Sequence, residues 1–428
     1  MRISMRTASG FAHEPWSRQM SLYAVNVRQY TAEGTLRAFE AELPRLADLG
    51  VGMLWFLPIQ PIGKEQRKGR LGSYYSIRHY TAVNPEFGTL EDFKRVVDRA
   101  HALGMKVLLD WVANHTAWDH PWVRQHPQWY QKDAQGRIHA YTFRATPDSA
   151  PEYWTDVVGL DYGARELWPA MTEAMDFWVR ETGIDGFRCD VAALVPLEFW
   201  TQARKTLQRR KPLFMLAEAH ESHLHAAFDM TYDWDLYDQL RSIAQGRAQA
   251  PALHAWWARR CAHYQADDYR MIYTANHDSN SWHGSCAELY GSLSAFKAMA
   301  VLAALLPGMP LVYSGQEAFF EKRLQFFEKD PIDWKDRPLQ TFYRTLLRLH
   351  NTHPALAQGA GSEFAFQEVG NDQVVAFSKR AAAARLLRPS SSMQLDVAVN
   401  VSDRTQTWRD PHGRIRRLGP WGCWWREA

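Results

Sequence analysis

Short apolar runs alternate along the chain with longer segments in which apolar residues recur every three to four positions. The short runs are rich in β-branched and aromatic residues and end near Gly, Pro, Asn or Asp, which is typical of buried strands. The runs that we interpret as strands are Leu22–Tyr30, Gly52–Ile59, Lys106–Asn114, Gly186–Asp190, Phe214–Glu218, Phe228–Tyr232, Met271–His277 and Pro310–Gly315. Most are separated by helical patterns such as residues 89–104, TLEDFKRVVDRAHALG, with a Thr cap and a Gly stop.

Eight strands interleaved with helices predict an α/β fold of the (β/α)₈ TIM-barrel type, with a doubly wound parallel sheet as the alternative. We assign residues 1–114 and 164–358 to this catalytic barrel. Residues 115–163 interrupt the rhythm after the third strand, and because structureless loops of that length are uncommon, we expect a small inserted subdomain there. Short alternating runs and a Trp-rich tail predict a C-terminal antiparallel β-sandwich domain over residues 359–428. Within it, residues 381–392 (AAAARLLRPSSS) are expected to form an exposed loop.

Composition and charge narrow the class of protein. Hydrophobic residues make up 46% and charged residues 23% of the 428 residues, as in soluble globular proteins. A net charge of +3 leaves no electrostatic footprint for nucleic acid. The four cysteines lack metal-type spacing, which fits a reducing compartment. Neither a membrane-length apolar run nor a signal-peptide core occurs, so we expect a cytoplasmic protein, or a periplasmic or secreted one if a signal peptide had been removed.

Candidate chemistry concentrates where the predicted strands end, which is where TIM barrels place their active sites. The polar residues at these ends are Asp110, Asn114 and His115 for the third strand, Asp190 for the fourth, Glu218 for the fifth, and His277 and Asp278 for the seventh. A single acid after a strand is more often a helix cap or a surface residue. Several acids converging on one barrel mouth predict an active site that works with carboxyl groups.

The motifs around these acids resemble those of the α-amylase family of retaining glycoside hydrolases. They are DWVANH at the third strand, GFRCD at the fourth, LAE at the fifth and ANHD at the seventh, in the same order as in the family. The segment GSYYSIRHYTAVNPEFGTLEDF and the VGLDYG sequence extend the resemblance over nearly the whole chain. The resemblance implies a TIM barrel, a subdomain after the third strand and a C-terminal β-sandwich, as the pattern itself predicts.

The resemblance also implies a role for each matching residue. It makes Asp190 the nucleophile, Glu218 the general acid/base, Asp278 the transition-state stabiliser, Tyr75 a stacking platform, Asp110 a structural support, and Arg188, His115 and His277 contacts of the sugar. We expect Arg188 to favour the ionised form of Asp190, which must attack the anomeric carbon. Glu218 must begin protonated, which two anionic neighbours favour. Retention of configuration requires two carboxyl groups about 5–5.5 Å apart.

The sequence departs from the family pattern just after the nucleophile strand. Many relatives carry Lys-His where this chain has Ala193 and Leu194, which removes one expected calcium ligand. Asn114 and Asp161 could still supply oxygen ligands to a calcium ion. The expectation is otherwise an enzyme that requires no cofactor.

The function that the resemblance implies is hydrolysis of α-glucosidic bonds, most commonly α-1,4, in starch-derived oligosaccharides. The alternative is a transglycosylase on the same scaffold, which transfers glucosyl units or isomerises α-glucosides such as sucrose or maltose. A catalytically inactive sugar-binding or transporter-associated relative is the third hypothesis, but such a protein should lack one of the three acids or carry a membrane segment.

Two further expectations concern the substrate, an α-glucan oligosaccharide. Residues 67–76 (RKGRLGSYYS) are expected to narrow the cleft and favour short maltodextrins. Four tryptophans beside or within the inserted subdomain are candidate sugar platforms: Trp111, Trp118, Trp122 and Trp154.

Overall fold

Eight parallel strands close into the barrel that the sequence predicts, in the order β1-β11-β10-β9-β8-β7-β3-β2. The structure is a computed structural model that describes residues 11–144, 146, 148–334, 336–382 and 393–428. Its strands are β1 (Leu22–Val25), β2 (Met53–Phe56), β3 (Lys106–Trp111), β4 (His115–Ala117), β5 (Ala140–Phe143), β6 (Glu152–Gly159), β7 (Gly186–Cys189), β8 (Phe214–Ala217), β9 (Met230–Tyr232), β10 (Tyr269–Tyr273), β11 (Met309–Tyr313), β12 (Ser362–Phe366), β13 (Val374–Ala381), β14 (Gln394–Asn400), β15 (Gln406–Arg409), β16 (Ile415–Leu418) and β17 (Cys423–Glu427).

Most of the helices cover the outside of the barrel, and one short helix, at residues 121–125, lies in the segment inserted after β3. The helices are α1 (Val27–Tyr30), α2 (Leu36–Glu40), α3 (Leu43–Leu49), α4 (Leu90–Ala102), α5 (Pro121–Gln125), α6 (Leu167–Thr182), α7 (Leu197–Leu207), α8 (Trp234–Ala244), α9 (Pro251–His263), α10 (Cys286–Tyr290), α11 (Leu293–Leu305) and α12 (Gln340–Thr352). None of the helices in the described ranges combines the length and the apolar character that crossing a lipid bilayer requires.

The barrel strands are buried along almost their whole length, which explains their continuous apolar runs. Strand β1 pairs with both β2 and β11, and this pairing closes the sheet. The predicted first strand was too long, because residues 27–30 form the one-turn helix α1. All four residues of α1 are buried, and hydrophobic periodicity cannot distinguish a buried helical turn from a buried strand.

Helix α4 shows how the local sequence fixes an element of the outer layer. The Thr89 hydroxyl accepts a hydrogen bond from the Asp92 N–H at 3.1 Å, and the Asp92 carboxylate accepts one from the Thr89 N–H at 2.8 Å. This capping box satisfies two N–H groups that a helix start would otherwise leave unpaired. Gly104, just beyond the helix, has a φ of +81°, a conformation that glycine adopts without strain.

A small sheet of order β4-β6-β5 lies between β3 and α6, where the sequence predicts an inserted subdomain. Its strands are antiparallel, with Thr116 opposite Val158 and Thr142 opposite Tyr153. Because this sheet continues from the carboxyl end of β3, it stands over the carboxyl ends of the barrel strands. The domain boundaries at residues 114, 163 and 358 stay predictions.

The C-terminal residues form antiparallel sheets, as the sequence predicts. One has the order β12-β13-β14-β17 and the other is the hairpin β15-β16. The larger sheet packs against α9, where Trp257 lies 4.6 Å from Phe364 and His254 stacks 4.2 Å from Phe366, measured between ring centroids. Of the loop predicted at residues 381–392, Ala381 is the last residue of β13, and residues 383–392 lie outside the described residues.

Candidate active site

The carboxyl ends of the barrel strands open into a cleft of about 550 Å³. Six of the residues predicted for the site line it: Tyr75, His115, Asp190, Glu218, His277 and Asp278. Asp110 and Arg188 lie behind them with no exposed side-chain surface. The structure therefore brings together eight predicted site residues from distant parts of the chain.

Strands β7 and β8 place the two central carboxyl groups side by side. They are adjacent and parallel, with Cys189 opposite Ala217, so the residues that follow, Asp190 and Glu218, emerge together at the barrel mouth. The Glu218 N–H donates to the Cys189 carbonyl at 2.9 Å, and the Asp190 N–H donates to the Trp111 carbonyl on β3, also at 2.9 Å. Backbone pairing thus fixes where both side chains begin.

The Arg188 guanidinium connects three carboxyl groups at the floor of the cleft. Its Nη1 lies 2.9 Å from both Asp110 Oδ1 and Asp190 Oδ1, and its Nη2 lies 2.8 Å from Glu218 Oε1. The Nη2 contact is an ion pair whose angles do not align for a hydrogen bond. Nε donates to the Tyr232 hydroxyl at 3.2 Å. A rigid planar cation with several donors suits this arrangement better than a lysine would.

Asp110 connects Arg188 to the aromatic wall of the cleft. Its Oδ2 accepts hydrogen bonds from Trp55 Nε1 at 3.0 Å and from the Tyr75 hydroxyl at 3.1 Å. The Tyr75 ring stacks on His277 at 5.5 Å, and its hydroxyl lies 2.7 Å from His277 Nε2. Asp110 therefore orients the ring predicted to be the sugar platform, and its role as a structural support stays a prediction.

The turn after β7 brings a backbone donor to Glu218. Val191 has a φ of +37° and a ψ of +46°, a left-handed conformation that is strained for a β-branched residue. In this conformation its N–H donates to Glu218 Oε2 at 2.8 Å. Glu218 is therefore held from two sides, by Arg188 and by the residue that follows Asp190.

Three aspartates of the site have raised pKa values and keep their protons to higher pH than isolated acids do. Burial raises the pKa of Asp110 to about 6 and that of Asp278 to about 7, with the Glu218 charge adding to both shifts. Burial and the Glu218 charge also raise the pKa of Asp190 well above its usual range. Arg188 opposes this shift, as the sequence predicts, but it does not reverse the direction. Because the charge of one carboxyl group shifts the pKa of its neighbours, these acids do not titrate independently.

Water reaches the three cleft acids unequally. The side chain of Asp278 is 40% exposed, against 15% for Glu218 and 9% for Asp190. In the open cleft, solvent therefore moderates the shift of Asp278 most, and a bound sugar would bury this carboxyl further.

Both histidines of the site are neutral. Burial lowers the pKa of His115 to about 3, and burial with the nearby Arg188 charge lowers the pKa of His277 well below its usual value. His277 Nε2 lies 3.1 Å from Asp278 Oδ2. As neutral imidazoles, these rings can donate to and accept from sugar hydroxyls without adding a second full positive charge to the floor.

The two residues proposed as calcium ligands each make a hydrogen bond within the protein. The Asn114 amide lies 3.1 Å from His115 Nδ1, and the Asp161 carboxylate accepts the Gly163 N–H at 2.8 Å. Among the residues that the structure describes, no group of three or more acidic, histidine or cysteine side chains is arranged to hold a metal ion. Calcium takes six to eight oxygen ligands, of which these two side chains could supply only a part, so a calcium site here stays a prediction and the proposed reaction does not depend on it.

Only Trp154 of the four candidate tryptophans lines the cleft. Trp111 has no exposed surface and packs between Tyr80 and Phe187, so its prediction as a platform is wrong. Trp122 packs against Tyr80 beside a different cavity. Trp118 donates its indole N–H to the Thr155 carbonyl and is likewise outside the cleft lining.

Sequence reasoning missed part of the cleft wall. Lys68, Asp156, Trp282, Phe326 and Phe327 line the cleft on loops and in the inserted sheet. Only Lys68 had a signal in the sequence, because it belongs to the basic segment, residues 67–76, that we expected to narrow the cleft. An aromatic pair such as Phe326-Phe327 reads equally well as core, so the sequence alone offered no means of placing it.

A closed parallel barrel with carboxyl groups gathered at its mouth defines an enzyme of the (β/α)₈ class. The family model described as the α-amylase catalytic domain matches residues 24–336. The chain belongs to the α-amylase family.

Solved structures match the chain over nearly its full length. An α-amylase from Lactobacillus plantarum is 30% identical with a TM-score of 0.81, covering 97% of this chain and 98% of that one. A noncanonic maltogenic α-amylase, AmyB, from Thermotoga neapolitana is 28% identical with a TM-score of 0.81, covering 96% and 97%.

Curated relatives match at similar identity but are longer. An α-1,4-glucan:maltose-1-phosphate maltosyltransferase from Cereibacter sphaeroides is 28% identical over 388 residues, covering 81% of this chain and 60% of that protein. α-Amylase MalA from Haloarcula japonica is 28% identical over 379 residues, covering 85% and 54%. The chain therefore spans somewhat more than half the length of these relatives.

Proposed function

We propose that the protein is a retaining enzyme that acts on α-glucan oligosaccharides and passes a glycosyl unit from one sugar chain to another, with water as a competing acceptor. The observation that carries this proposal is the pair of carboxyl groups, Asp190 and Glu218, on one buried guanidinium at the floor of the cleft. The shared cation holds both acids within reach of a single glycosidic bond, as double displacement requires.

In the first half of the reaction, a carboxylate oxygen of Asp190 attacks the anomeric carbon. The glycosidic C–O bond breaks, and the leaving oxygen takes a proton from Glu218, which leaves the sugar bonded covalently to Asp190. Asp278 and the neutral His277 and His115 bind the sugar hydroxyls as positive charge develops on the ring.

In the second half, a hydroxyl group displaces Asp190 from the anomeric carbon and gives its proton to Glu218. Several matching relatives are named as maltosyltransferases, which favours a sugar hydroxyl as the acceptor. The favoured function is thus the alternative of the sequence analysis, transfer, ahead of simple hydrolysis.

The charge of the cleft favours a sugar rather than a phosphate as the leaving group. Of the described residues that line the cleft, Lys68 is the one lysine or arginine. Many relatives have Lys-His three and four residues after the nucleophile, where this chain has Ala193 and Leu194. A phosphate leaving group would need a cation on the Glu218 side of the bond. We therefore expect an oligosaccharide donor.

Hydrolysis remains the second candidate function, and one observation favours it. The two α-amylase structures correspond to this chain over 97–98% of their own length, each with a TM-score of 0.81. The ratio of the two reactions depends on how well an acceptor sugar competes with water.

Product analysis tests the proposal. Maltotriose, maltoheptaose, isomaltose and sucrose are incubated at high concentration, and the products are resolved by size. Oligosaccharides longer than the substrate should appear early from maltotriose or maltoheptaose. Products that are only shorter from the first time point would favour hydrolysis, and no conversion of any substrate would refute the α-glucan assignment.

Two substitutions test the roles of the acids. Asp190→Asn and Glu218→Gln should each lower kcat by about 10⁴-fold or more, since each removes a group that the covalent step requires. With a glycosyl fluoride donor, which needs no proton on its leaving group, Glu218→Gln should accumulate a glycosyl adduct that mass spectrometry locates on Asp190. Glu221→Gln changes a partly exposed acid three residues further on, outside the cleft lining, and is the matched control that should keep normal activity. Near-normal turnover by Asp190→Asn would refute the nucleophile assignment.

A further inference from the structure

Two loops at the barrel mouth are fastened to each other beside the cleft. The β2 loop segment, residues 63–72, follows β2, and the β11 loop segment, residues 320–330, follows β11. The Arg70 N–H and Nε donate to the two carboxylate oxygens of Glu328 at 2.7 and 3.1 Å, and the Leu71 N–H donates to the Phe327 carbonyl at 3.0 Å. These bonds leave no passage between the two segments at this point.

The backbone approach between the segments is close enough to require glycine. Gly69 has a φ of +63°, and a Cβ atom there would lie 2.5 Å from Phe327 Cβ. Any larger residue would push the segments apart, because both the space and the conformation exclude a side chain.

A third element closes the same side of the cleft. Lys68 Nζ forms an ion pair with Asp156 Oδ1 at 2.9 Å, which connects the β2 loop segment to strand β6 of the inserted sheet. Both side chains line the cleft. Asp156 is 7% exposed at its side chain and Lys68 35%, so the ammonium group keeps donors that face the open volume.

Aromatic rings continue this wall from the catalytic floor. Phe326 lies 6.4 Å from the Tyr75 ring and nearly parallel to it, and Trp282 lies 5.4 Å from Phe326 and 6.0 Å from Phe327. The wall therefore begins at the predicted sugar platform and extends outward.

The barrel order shows which side of the scissile bond is closed. Strands β2 and β11 flank β1, and β8 lies four positions from β1 in the ring of eight, directly across the mouth. Glu218, which follows β8, protonates the leaving oxygen, so the leaving group lies on its side. The closed side is opposite and therefore faces the sugar that is retained on Asp190.

We propose that these contacts form an end wall that admits only the non-reducing end of an α-glucan, with Lys68 and Asp156 as the residues that contact its terminal hydroxyl groups. The inference rests on the proposed function and deepens it from an α-glucan enzyme to one that acts at chain ends. An open groove would let a chain continue past Tyr75 in both directions.

The test compares maltoheptaose with maltoheptaose whose terminal non-reducing glucose carries a 4,6-O-ethylidene group. The wild-type enzyme should use the blocked chain at least about 100-fold less efficiently in kcat/KM, the scale on which a closed pocket rejects an added group. Equal use of the two chains would overturn the end wall.

A second experiment measures binding without turnover. Calorimetry compares the affinities of the blocked and unblocked chains for the Glu218→Gln variant. Tighter binding of the unblocked chain supports the wall, and equal affinities overturn it. If discrimination in binding occurs but the wild-type enzyme transforms neither chain, the proposed reaction fails and the end wall stands.

Lys68→Ala should reduce the preference for the unblocked chain about tenfold, since it removes charged hydrogen bonds to the terminal sugar. Lys64→Ala changes an exposed lysine of the same segment and should leave the preference unchanged. Phe327→Ala provides a second opening of the wall should Lys68→Ala disturb the loop. An unchanged preference in both Lys68→Ala and Phe327→Ala would overturn the proposal.

Discussion

At the scale of single residues, a site residue could be predicted from the sequence when it directly follows a buried strand. Asp190 and Glu218 come directly after buried strands, and the structure places them on one guanidinium. Trp111 was misassigned, although successive strand residues point to opposite faces of a sheet. Its neighbour Asp110 contacts Arg188 in the barrel, so Trp111 must face the helical layer. Lys68 had no comparable signal, because its partner Asp156 is distant in sequence.

The shared protons of the site predict the pH dependence of activity. Asp190 must be ionised to attack, and its pKa is raised, so its inactive protonated form persists to higher pH than in an ordinary aspartate. We therefore expect the acid limb of kcat/KM to inflect clearly above the ordinary aspartate range of about pH 4. Initial rates from pH 4 to 9 measure this limb, with circular dichroism at each pH as the control for folding. A flat profile down to about pH 4.5 would contradict the raised pKa values.

At the scale of secondary structure, all eight barrel strands were predictable and their ends were less so. The predicted run of most strands continues beyond the last paired residue, as in Lys106–Asn114, of which β3 occupies only Lys106–Trp111. Strand pairing ends where the chain turns toward the cleft, and the pattern of apolar residues does not indicate where that turn occurs. Turn conformation was also invisible: nothing in a valine predicts the left-handed backbone of Val191, which follows from its contact with Glu218.

The capping box of α4 gives a prediction at this scale. Thr89→Ala removes the acceptor for the Asp92 N–H and should lower the free energy of unfolding by about 1 kcal/mol. Chemical denaturation measures the change. Thr89→Ser keeps the hydroxyl group and should restore most of the stability. Neither substitution should alter kcat, because α4 lies in the outer layer, and a stability loss equal in both variants would contradict the capping role.

At the scale of the whole molecule, the sequence predicted the architecture but not how its parts meet. The interface between the C-terminal sheet and the barrel includes a buried side chain that no pattern identifies as core, Lys379 on β13. It is 1% exposed and lines a cavity of about 240 Å³ together with Arg260. Burial, with the Arg260 charge adding, lowers the pKa of Lys379 to about 7. An alternating strand pattern places a lysine on the solvent face by default, so this interface could not be derived from the sequence.

Lys379→Met should therefore stabilise the protein at neutral pH. A lysine with a folded-state pKa near 7 and an unfolded value of about 10.4 binds fewer protons when folded between these two values. Its cost to folding is complete below pH 7 and disappears as the pH rises toward 10. We expect a gain of about 1–3 kcal/mol at pH 7, measured by denaturation, that shrinks by pH 10. Lys205→Met, an exposed lysine on α7, is the control, and a gain independent of pH would contradict this explanation.

Because the end wall is formed by the β2 and β11 loop segments, selection can change where on a sugar chain the enzyme acts without changing the arrangement of its reacting acids. The reacting acids are set by backbone pairing inside the barrel, whereas the end wall depends on a ten-residue segment held by Arg70, Lys68 and the close contact at Gly69. Shortening or replacing that segment would leave the chemistry intact. A descendant could thereby change from acting at chain ends to acting within chains through loop mutations alone.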